Sequence, residues 1–474
     1  MENETTEVVE MAVETVEAEA AELKSAAEAA DSAEPDNRQR TKKQGRQRKR
    51  PAAEPWQPVP PIVTTVEEFV KALRVGKPER KTSIPALTCA KVSAGKIVTT
   101  DLDLWTVTEW AGQGGRSTSG STDSAASSAA SSAAETVCLL PYFHTLDLLE
   151  GEKGQLVIEP LKNNWVRLEV ADCEFKLAGM NVANFPQEPA EIEPTAEIQA
   201  VDLLQMINRI IFSVSKEQSR YILNGALLEI NAESGLARMV ATDGYRLALA
   251  EAAAQGRLEA GRQSEVAKDT NSLIVPLDAL NWLRSRIDKK SDEVVRIGND
   301  HSQGTKSLVR FTIGPDTLYA RKRKLTRQFP NWRAVMPRKD AVRTWVKFKS
   351  AKALAATLAR VAKCADERSG CVTWEFAAAG SGLSAKSCEA GEASARLDCA
   401  IEGEAVKIGW NAGYVLEFLR VVGEGPVRMG IRDEKSAAVF EAEEGAGAGA
   451  GVGGWSYMLM PMRVLTAEAE REKG

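Results

Sequence analysis

The stretch Arg220–Glu251 decides the fold of this chain: it runs RYILNGALLEI, a short turn, and then LARMVATDGYRLALAE. Apolar and small residues fill alternate positions, a spacing that is typical of strands. Residues 231–235 have the composition of a turn. Thr242-Asp243-Gly244 reads as a sharp corner, because Asp and Gly both suit tight turns. The stretch therefore predicts successive strands of an antiparallel sheet.

The length and amino-acid composition are those of an ordinary globular chain. Its 474 residues predict about three domains. No apolar run approaches the roughly 20 residues that span a bilayer, and the acidic N-terminus lacks a signal-peptide pattern, so we expect a cytoplasmic protein with no membrane partner. Seven cysteines and two histidines show no ligand spacing and no catalytic constellation. We therefore expect no metal and no cofactor.

Three stretches have the composition of disordered segments. Residues 1–57 form an acidic and then basic tail, whose block Arg38–Arg50 could contact DNA non-specifically or serve as a solvated linker. Residues 112–134 are a Ser/Ala-rich insertion, and residues 445–454 a Gly-rich connection.

With these stretches removed, a threefold repeat is visible, and it predicts domains at 58–191, 192–339 and 340–474. Each repeat has two helix candidates and a strand after the second helix. The first helices are predicted at Val66–Val75, Val201–Lys216 and Ala351–Lys363, and the second at Pro141–Leu149, Pro276–Ile287 and Asn411–Val422. Thr100-Asp101-Leu102-Asp103-Leu104 in the first repeat echoes Thr242-Asp243-Gly244-Tyr245-Arg246 in the second.

The predicted helices are apolar on one side and basic on the other. In the second and third repeats the basic or DNA-facing candidates are Arg209, Lys216, Lys352, Arg360 and Lys363. An ordinary solvated face explains any one such helix, but the pattern recurs across the repeats. The exception is Pro141–Leu149, which carries Asp147, is followed by Glu150 and has neither Lys nor Arg.

The sequences of Arg220–Glu251 and of the closing run Tyr457–Arg463 (YMLMPMR) together resemble the bacterial sliding clamp, the beta subunit of DNA polymerase III. FPNWRAVMP from Phe329 and VKIGWNAGYVLEFL from Val406 extend the similarity to roughly residues 62–464. The resemblance implies an α+β fold of three repeated DNA-clamp domains. Each would pack two inner helices on outer antiparallel sheets, and two chains would form a head-to-tail ring.

The resemblance also implies a function. The protein would be a non-catalytic subunit of the DNA polymerase III holoenzyme, a processivity factor that encircles double-stranded DNA without reading sequence. Its partners would be a second copy of itself, the polymerase alpha subunit, the clamp loader and other proteins with a clamp-binding motif. Lys81 and Tyr221 are the DNA contacts that the resemblance adds to those on the helices.

A cleft for partner peptides is implied between the second and third domains. Leu, Met and Pro would form an adaptable apolar groove, and Arg246 and Arg463 would hold peptide carbonyls or carboxylates. The matching positions are Leu223, Thr242, Gly244, Tyr245, Arg246, Leu247, Pro276, Asn411, Tyr414, Met458, Leu459, Met460, Pro461, Met462 and Arg463. Without the resemblance, the Met-Pro-Met run would be interpreted as core packing.

Several departures from the family pattern keep an alternative open. Tyr245 replaces a usual His, Glu217 stands where a polar DNA contact is common, and the first repeat is shortened around residues 75–80. The alternative is a clamp-like scaffold that binds partner peptides without encircling DNA. An enzyme with metal-bound Asp101, Asp103 and Asp243 is a weaker hypothesis, because these residues fit strand corners and no ligand cluster completes a site.

Overall fold

The computed structural model describes residues 59–114, 136–258, 272–300, 307–321, 329–442 and 454–463. The predicted tail 1–57, most of the insertion 112–134 and most of the connection 445–454 lie outside these ranges. Gln113–Gly114, expected in the insertion, instead form a short strand. Within the described residues, no helix is both long and apolar enough to cross a lipid bilayer.

Helices and strands alternate along the chain in a repeating order. The helices are α1 (Val66–Leu73), α2 (Tyr142–Leu149), α3 (Ala200–Ile210), α4 (Leu277–Arg286), α5 (Trp332–Val335), α6 (Ala351–Val361) and α7 (Ala412–Val422). The strands are β1 (Ile62–Thr65), β2 (Cys89–Ser93), β3 (Lys96–Thr100), β4 (Leu104–Glu109), β5 (Gln113–Gly114), β6 (Val137–Pro141), β7 (Gln155–Pro160), β8 (Trp165–Val170), β9 (Cys173–Ala178), β10 (Pro194–Gln199), β11 (Gly225–Asn231), β12 (Leu236–Thr242), β13 (Arg246–Ala253), β14 (Gln255–Gly256), β15 (Ser272–Pro276), β16 (Val294–Asn299), β17 (Leu308–Ile313), β18 (Asp316–Arg321), β19 (Thr344–Phe348), β20 (Cys371–Phe376), β21 (Ser381–Ser387), β22 (Gly391–Leu397), β23 (Ala400–Gly403), β24 (Val406–Asn411), β25 (Val427–Ile431), β26 (Ala438–Ala442) and β27 (Trp455–Leu459).

The opening stretch forms β11, β12 and β13, as predicted, although its first residues belong to a 3-10 helix, Gln218–Leu223. The predicted helix Val201–Lys216 is too long. α3 ends at Ile210 and a 3-10 turn at 211–213 follows, so Lys216 lies in a loop. The buried side of α3 includes Leu203 and Met206, whereas Val201, which was predicted for the apolar side, is only half-buried.

The strands form four antiparallel sheets. Their strand orders are β5-β1-β7-β8-β9, β14-β10-β16-β17-β18-β4-β3-β2-β6, β15-β11-β12-β13-β27-β26-β25-β19-β23 and β22-β21-β20-β24. We use the predicted bounds as names: unit 1 is residues 58–191, unit 2 is 192–339 and unit 3 is 340–474. Each nine-stranded sheet then joins two units, through β18 with β4 for units 1 and 2 and through β27 with β13 for units 2 and 3.

Each of the two smaller sheets ends on an edge strand, β9 in unit 1 and β22 in unit 3. Within the described residues, each of these strands has a neighbour on one side only. β9 of unit 1 corresponds to β18 and β27, since each is the last strand of its unit. β22 of unit 3 corresponds to β4 and β13, since each follows the corner of its unit. β18 and β27 pair with β4 and β13, whereas β9 and β22 are sheet edges. The threefold pattern of the sheets is therefore open at both ends.

The helices lie in pairs against the sheets: α1 with α2, α3 with α4 and α6 with α7. Thr65 caps the start of α1: its side-chain oxygen accepts a hydrogen bond from the Glu68 N–H at 3.3 Å. The helix buries Phe69 and Leu73. The largest core cluster extends through units 2 and 3. A network of aromatic rings forms part of it: Trp374, Trp410, Phe418, Phe440 and Tyr457.

Candidate partner-binding cleft and DNA-facing helices

The corner between β12 and β13 is built by side chains that satisfy the turning backbone. The Thr242 hydroxyl donates to the Arg246 carbonyl at 2.6 Å and accepts from the Gly244 N–H at 3.1 Å. Asp243 Oδ1 accepts from the backbone N–H groups of Tyr245 and Arg246. Gly244 has φ +95°, a conformation that only glycine adopts readily. The corner is therefore fixed before any ligand arrives.

The same corner recurs in unit 1. The Thr100 hydroxyl donates to the Leu104 carbonyl at 2.7 Å, and Asp101 Oδ1 accepts from the N–H groups of Asp103 and Leu104. Burial raises the pKa of Asp101 and the backbone hydrogen bonds oppose that effect. The predicted echo between the two stretches is confirmed, and these aspartates act as turn formers. Across the described ranges, no group of three or more His, Cys, Asp or Glu side chains is placed to hold a metal ion.

Strand alternation divides the predicted cleft residues between two faces of the sheet. Leu247 pairs with Met458, and both belong to an apolar cluster on the outer face. Arg246 pairs with Leu459, whose side chain lies in the main core. We call the outer group the 2–3 cluster; it consists of Leu227, Val240, Leu247, Ile274, Trp332 and Met458. Leu459 therefore lies in the main core and not in the 2–3 cluster.

Two exposed side chains stand beside the 2–3 cluster. Tyr245 is 53% exposed and Met460 is 44% exposed, although both are large and carry apolar surface. The Met460 N–H donates to the Tyr245 carbonyl at 3.0 Å, which holds the two residues side by side. Beyond them the Met462 N–H donates to Gly409 at 2.8 Å, so the closing run passes across unit 3. An aromatic ring and a flexible thioether beside an apolar floor suit an apolar peptide side chain.

The side chain of Arg246 makes its contacts within the protein. Its side chain is buried, and its guanidinium donates to Asp243 Oδ2 at 2.8 Å, to the Phe212 carbonyl at 2.6 Å and to the Glu417 carboxylate. It also lies 4.1 Å from the centre of the Tyr414 ring. Burial opposes the charge of Arg246, but the surrounding groups outweigh it and raise its pKa. Arg246 therefore joins units 2 and 3.

Asn411 and Tyr414 are likewise committed to the protein. Asn411 caps α7 by accepting from the Tyr414 N–H at 3.2 Å, and its amide nitrogen donates to the Ser369 carbonyl. The Tyr414 ring lies against Arg246, and its carbonyl accepts from the Tyr457 hydroxyl at 3.2 Å. Burial raises the pKa of Tyr414. Asn411 therefore shapes the start of α7, and the Tyr414 ring contributes to the junction between units 2 and 3.

The other predicted cleft residues surround the cluster. Leu223 is half-buried at the end of its 3-10 helix, and Pro276 pairs with Gly225 at the end of β15. The Leu277 N–H donates to the Asn224 carbonyl at 3.1 Å, which brings these two segments together. Pro461 and Met462 are half-buried, whereas Arg463 is exposed. Arg463 is thus the cation of the predicted pair that remains accessible.

Sequence reasoning missed the residues that cover the cluster from the connector between units 2 and 3. Trp332 is buried in the cluster, and Phe329 and Met336 pack against it. The signal was present in the FPNW run at Phe329, which supported the resemblance but was not assigned to the cleft. Ile274 and Val240 were missed because alternation places them there only once the pairing of β11, β12 and β15 is known.

The junction of units 1 and 2 carries a counterpart cluster with larger side chains. Trp105 pairs with Tyr319 there, at the positions that Leu247 and Met458 occupy at the other junction. Both rings are buried, together with Phe185 from the connector. Aromatic rings therefore fill the position that the smaller Leu247 and Met458 occupy at the junction of units 2 and 3.

The predicted DNA-facing residues fall into two groups. Lys81, Lys216, Arg360 and Lys363 are exposed. By contrast, Arg209 is half-buried with its guanidinium 5.4 Å from the Trp455 ring centre, and burial lowers its pKa. Lys352 is exposed but paired with Glu424. The side chain of Tyr221 lies outside the described residues.

Comparison with known proteins gives a consistent result. The family model "DNA polymerase III beta subunit, central domain" matches residues 197–321, and "DNA polymerase III beta subunit, C-terminal domain" matches residues 333–453. The beta sliding clamp of Vibrio cholerae is 27% identical over 301 residues, covering 62% of this chain and 75% of the relative. That of Pseudomonas aeruginosa is 28% identical over 294 residues, covering 59% and 74%.

Solved structures agree at the level of the fold. A DNA polymerase sliding clamp from Pseudomonas aeruginosa superposes with a TM-score of 0.69 at 22% identity, covering 85% of this chain and 100% of that one. The sliding clamp from Bacillus subtilis gives the same TM-score at 18% identity, covering 86% and 100%. The three-unit arrangement of sheets and helix pairs is therefore the sliding-clamp fold.

Proposed function

This chain belongs to the DNA polymerase III beta-subunit family, the beta sliding clamps, and from that premise we propose that it is a non-catalytic DNA sliding clamp. Two copies form a ring around duplex DNA in the cytoplasm, as part of the DNA polymerase III holoenzyme. The ring tethers the polymerase alpha subunit and other partners through the cleft between units 2 and 3, and the clamp loader opens it.

The threefold repeat of sheet and helix pair carries this proposal. Sheets shared between consecutive units link the three units in a row, and the row ends on two edge strands, β9 and β22. A second copy supplies the missing neighbour for each, which satisfies edges that would otherwise invite aggregation. Six units then close without leaving a free edge of this kind.

The helices supply the surface that faces DNA. Arg360 and Lys363 on the α6 segment, with Lys81 and Lys216 in loops after α1 and α3, are exposed cations. Lys and Arg attract phosphates without reading bases. Because escape requires the ring to open, weak contacts are sufficient, and a weakly held ring slides.

The 2–3 cluster, with Tyr245 and Met460 beside it, is the proposed seat for partner peptides. Its floor is apolar, one rim residue is aromatic and another is a flexible methionine. An extended peptide with one or two large apolar side chains fits this surface. Arg463 is the cation positioned to meet a peptide carboxylate.

Retention on closed DNA tests the ring. The full chain is loaded with its clamp loader onto nicked circular duplex, and half of the sample is then linearised. We expect retention on the circle and loss from the linear form, because a topological link ends when the protein slides off an end. A chain that binds a polymerase-derived peptide but never stays on circular DNA would establish the scaffold alternative instead.

A further inference from the structure

A cavity lies at the junction of units 1 and 2, between the corner Thr100–Leu104 and α4. Its volume is about 610 Å³, within the range of roughly 300–1,000 Å³ that small-ligand sites occupy. Side chains from both units line it: Lys77, Asp101 and Leu104 from unit 1, and Asp278, Asn281 and Arg284 from α4 of unit 2. The peptide cleft of the proposed function lies at the other junction, so this cavity is separate from it.

The repeat shows which group takes the equivalent place at the junction of units 2 and 3. The corners correspond residue by residue, so Leu104 stands at the position of Arg246. The Arg246 guanidinium lies between its own corner and α7, where it contacts Tyr414 and Glu417. Leu104 is shorter and carries no charge, and beside it the cavity opens. This place in the repeat is therefore shaped for a guanidinium.

The carboxylate that holds Arg246 is repeated in unit 1 without its donor. Asp243 Oδ1 accepts from the backbone of its corner, and Oδ2 accepts from Arg246 Nε at 2.8 Å. Asp101 Oδ1 accepts from its corner in the same way, but Oδ2 accepts no hydrogen bond from any residue that the structure describes. Burial raises the pKa of Asp101, the direction that holds for a carboxylate without a cation beside it. Oδ2 is therefore free to accept from a guanidinium that enters the cavity.

α4 supplies further acceptors with the spacing that α7 uses. On α7 the two residues that contact the guanidinium, Tyr414 and Glu417, are three apart and share one helix face. On α4 Asp278 and Asn281 have the same spacing, are exposed and line the cavity. A guanidinium has five N–H donors in a planar fork, so it can meet these two side chains and the Asp101 carboxylate together.

Two cations at the cavity define the rest of the ligand. Lys77 and Arg284 are exposed and line it. By themselves they oppose a guanidinium, because like charges repel. A carboxylate on the same ligand offsets this repulsion by accepting charge-assisted hydrogen bonds from them. The cavity thus suits a ligand that carries both charges, and it disfavours a simple cation.

We propose that the cavity at the junction of units 1 and 2 is a second ligand site, which binds a guanidinium group accompanied by a carboxylate. The guanidinium lies against Asp101 and Asp278, in the place that Arg246 takes at the other junction. The carboxylate lies between Lys77 and Arg284. Free arginine carries both groups, and so does a peptide in which an arginine adjoins an acidic residue. The site is additional to the peptide cleft and does not depend on closure of the ring.

Calorimetry on the full chain with three small molecules tests the chemistry. L-Arginine carries both groups, citrulline replaces the guanidinium by a neutral urea, and agmatine lacks the carboxylate. We expect L-arginine to bind at one site per chain with a Kd of roughly 0.1–1 mM, and the other two to bind at least about tenfold more weakly. An arginyl-glutamate dipeptide with blocked ends distinguishes the two sources: tighter binding than L-arginine identifies a peptide ligand, and weaker binding identifies the free amino acid.

Substitutions in the corner locate the site. Asp101→Asn keeps the side-chain oxygen that accepts from the corner N–H groups but removes the charge, and we expect it to weaken L-arginine binding at least about tenfold. Asp103→Asn, at an exposed carboxylate of the same corner outside the cavity, is the matched control and should leave binding unchanged. Leu104→Arg places a guanidinium in the cavity from within the chain and should abolish binding. Because Leu104 is buried, thermal unfolding checks that this variant folds, and Asp101→Asn decides the question if it does not.

Three results would overturn the proposal. The first is equal affinity for L-arginine and citrulline, and the second is unchanged affinity for L-arginine in Asp101→Asn. The third is inorganic phosphate that binds as tightly as L-arginine and equally well to wild type and Asp101→Asn, because Lys77 and Arg284 would then form a plain anion site. Retention on circular DNA does not report on this cavity, so the ring and the ligand site can fail separately.

Discussion

At the scale of single residues, one repeat position carries opposite chemistry at the two junctions. Phe185-Pro186 and Phe329-Pro330 begin the two connectors, and two residues further on stand Glu188 and Trp332. Glu188 accepts from Lys91 at 2.7 Å and from Lys96 at 2.5 Å. Trp332 instead packs in an apolar cluster that includes Leu227. At this position an ionic contact holds one connector and an apolar contact holds the other.

The Glu188 contact predicts a pH dependence. Burial alone would raise the pKa of Glu188, but the hydrogen bonds from Lys91 and Lys96 outweigh it and hold the pKa below its ordinary value of 4.5. The stabilisation is therefore present above pH 4.5 and is lost as the pH falls through the lowered pKa. We expect Glu188→Gln to reduce the free energy of unfolding by about 1 kcal/mol at pH 7. The difference from wild type should shrink by pH 3 in urea titrations, and a difference independent of pH would refute this explanation.

Arg246 predicts a larger effect on stability. Its removal leaves the Asp243 and Glu417 carboxylates and the Phe212 carbonyl without their buried donor. We expect Arg246→Met to lower the free energy of unfolding by about 2–4 kcal/mol. This is less than for a fully buried pair, because Glu417 is partly exposed to solvent. Urea unfolding measures it. Arg333→Met, which removes an exposed pair with Glu229, is the control and should change stability by under about 1 kcal/mol.

At the scale of elements, α6 carries cations in two different situations. Lys352 near its start is paired with Glu424. Arg360 near its end donates to the Ala356 carbonyl and the Thr357 hydroxyl and has no carboxylate partner among the residues described. A cation already paired in the free protein gains less from a phosphate, because it must first lose its carboxylate. The number of cations on a helix therefore does not by itself tell which of them contributes most to DNA binding.

This difference predicts the outcome of a salt titration. Arg360→Ala is expected to lower the slope of log affinity for duplex DNA against log salt by about 0.9, the value for one phosphate contact. Lys352→Ala should leave the slope within about 0.3 of the wild-type value. Fluorescence anisotropy with a labelled duplex measures both. Equal effects of the two substitutions would show that the Glu424 pair does not matter.

The second helix of unit 1 differs from its counterparts. In α2, Asp147 is exposed and Glu150 follows the helix in an exposed position, whereas α4 and α7 carry exposed Arg284 and Arg420. A carboxylate repels phosphate, so this sector of the proposed ring contributes least to DNA contact. The lack of Lys and Arg seen in the sequence of Pro141–Leu149 thus leaves α2 without the exposed cation that α4 and α7 carry.

At the scale of the whole molecule, the two junctions within a chain are related in strand pairing but unequal in packing. Leu247 and Met458 leave an apolar floor at one junction, and Trp105 and Tyr319 fill the corresponding place at the other. The repeat therefore supplies two similar positions for a cleft, and side-chain volume selects one of them.

This inequality predicts the stoichiometry of partner binding. Calorimetry with a clamp-binding peptide from the polymerase should give one site per chain. Leu247→Asp should abolish the heat of binding, because it places a charge on the apolar floor. Ile84→Asp, at an exposed apolar residue of unit 1, is the control and should leave binding unchanged. Two sites per chain would show that the aromatic junction also accepts peptides.

The sequence by itself determined the repeat, the strand and helix types, and the Thr-Asp corners. These features depend on local periodicity and turn chemistry, which nearby residues fix. The bounds of α3 were wrong because the apolar spacing continues past Ile210, where the backbone tightens into a 3-10 turn.

Only the tertiary structure decided which cleft residues share a face. Arg246 and Leu247 are neighbours in sequence, yet strand alternation sends one toward α7 and the other to the outer cluster. The partners that fix Arg246, Phe212 and Glu417, lie 34 and 171 residues away along the chain. No local pattern encodes such contacts, because they form only when the shared sheet brings units 2 and 3 together.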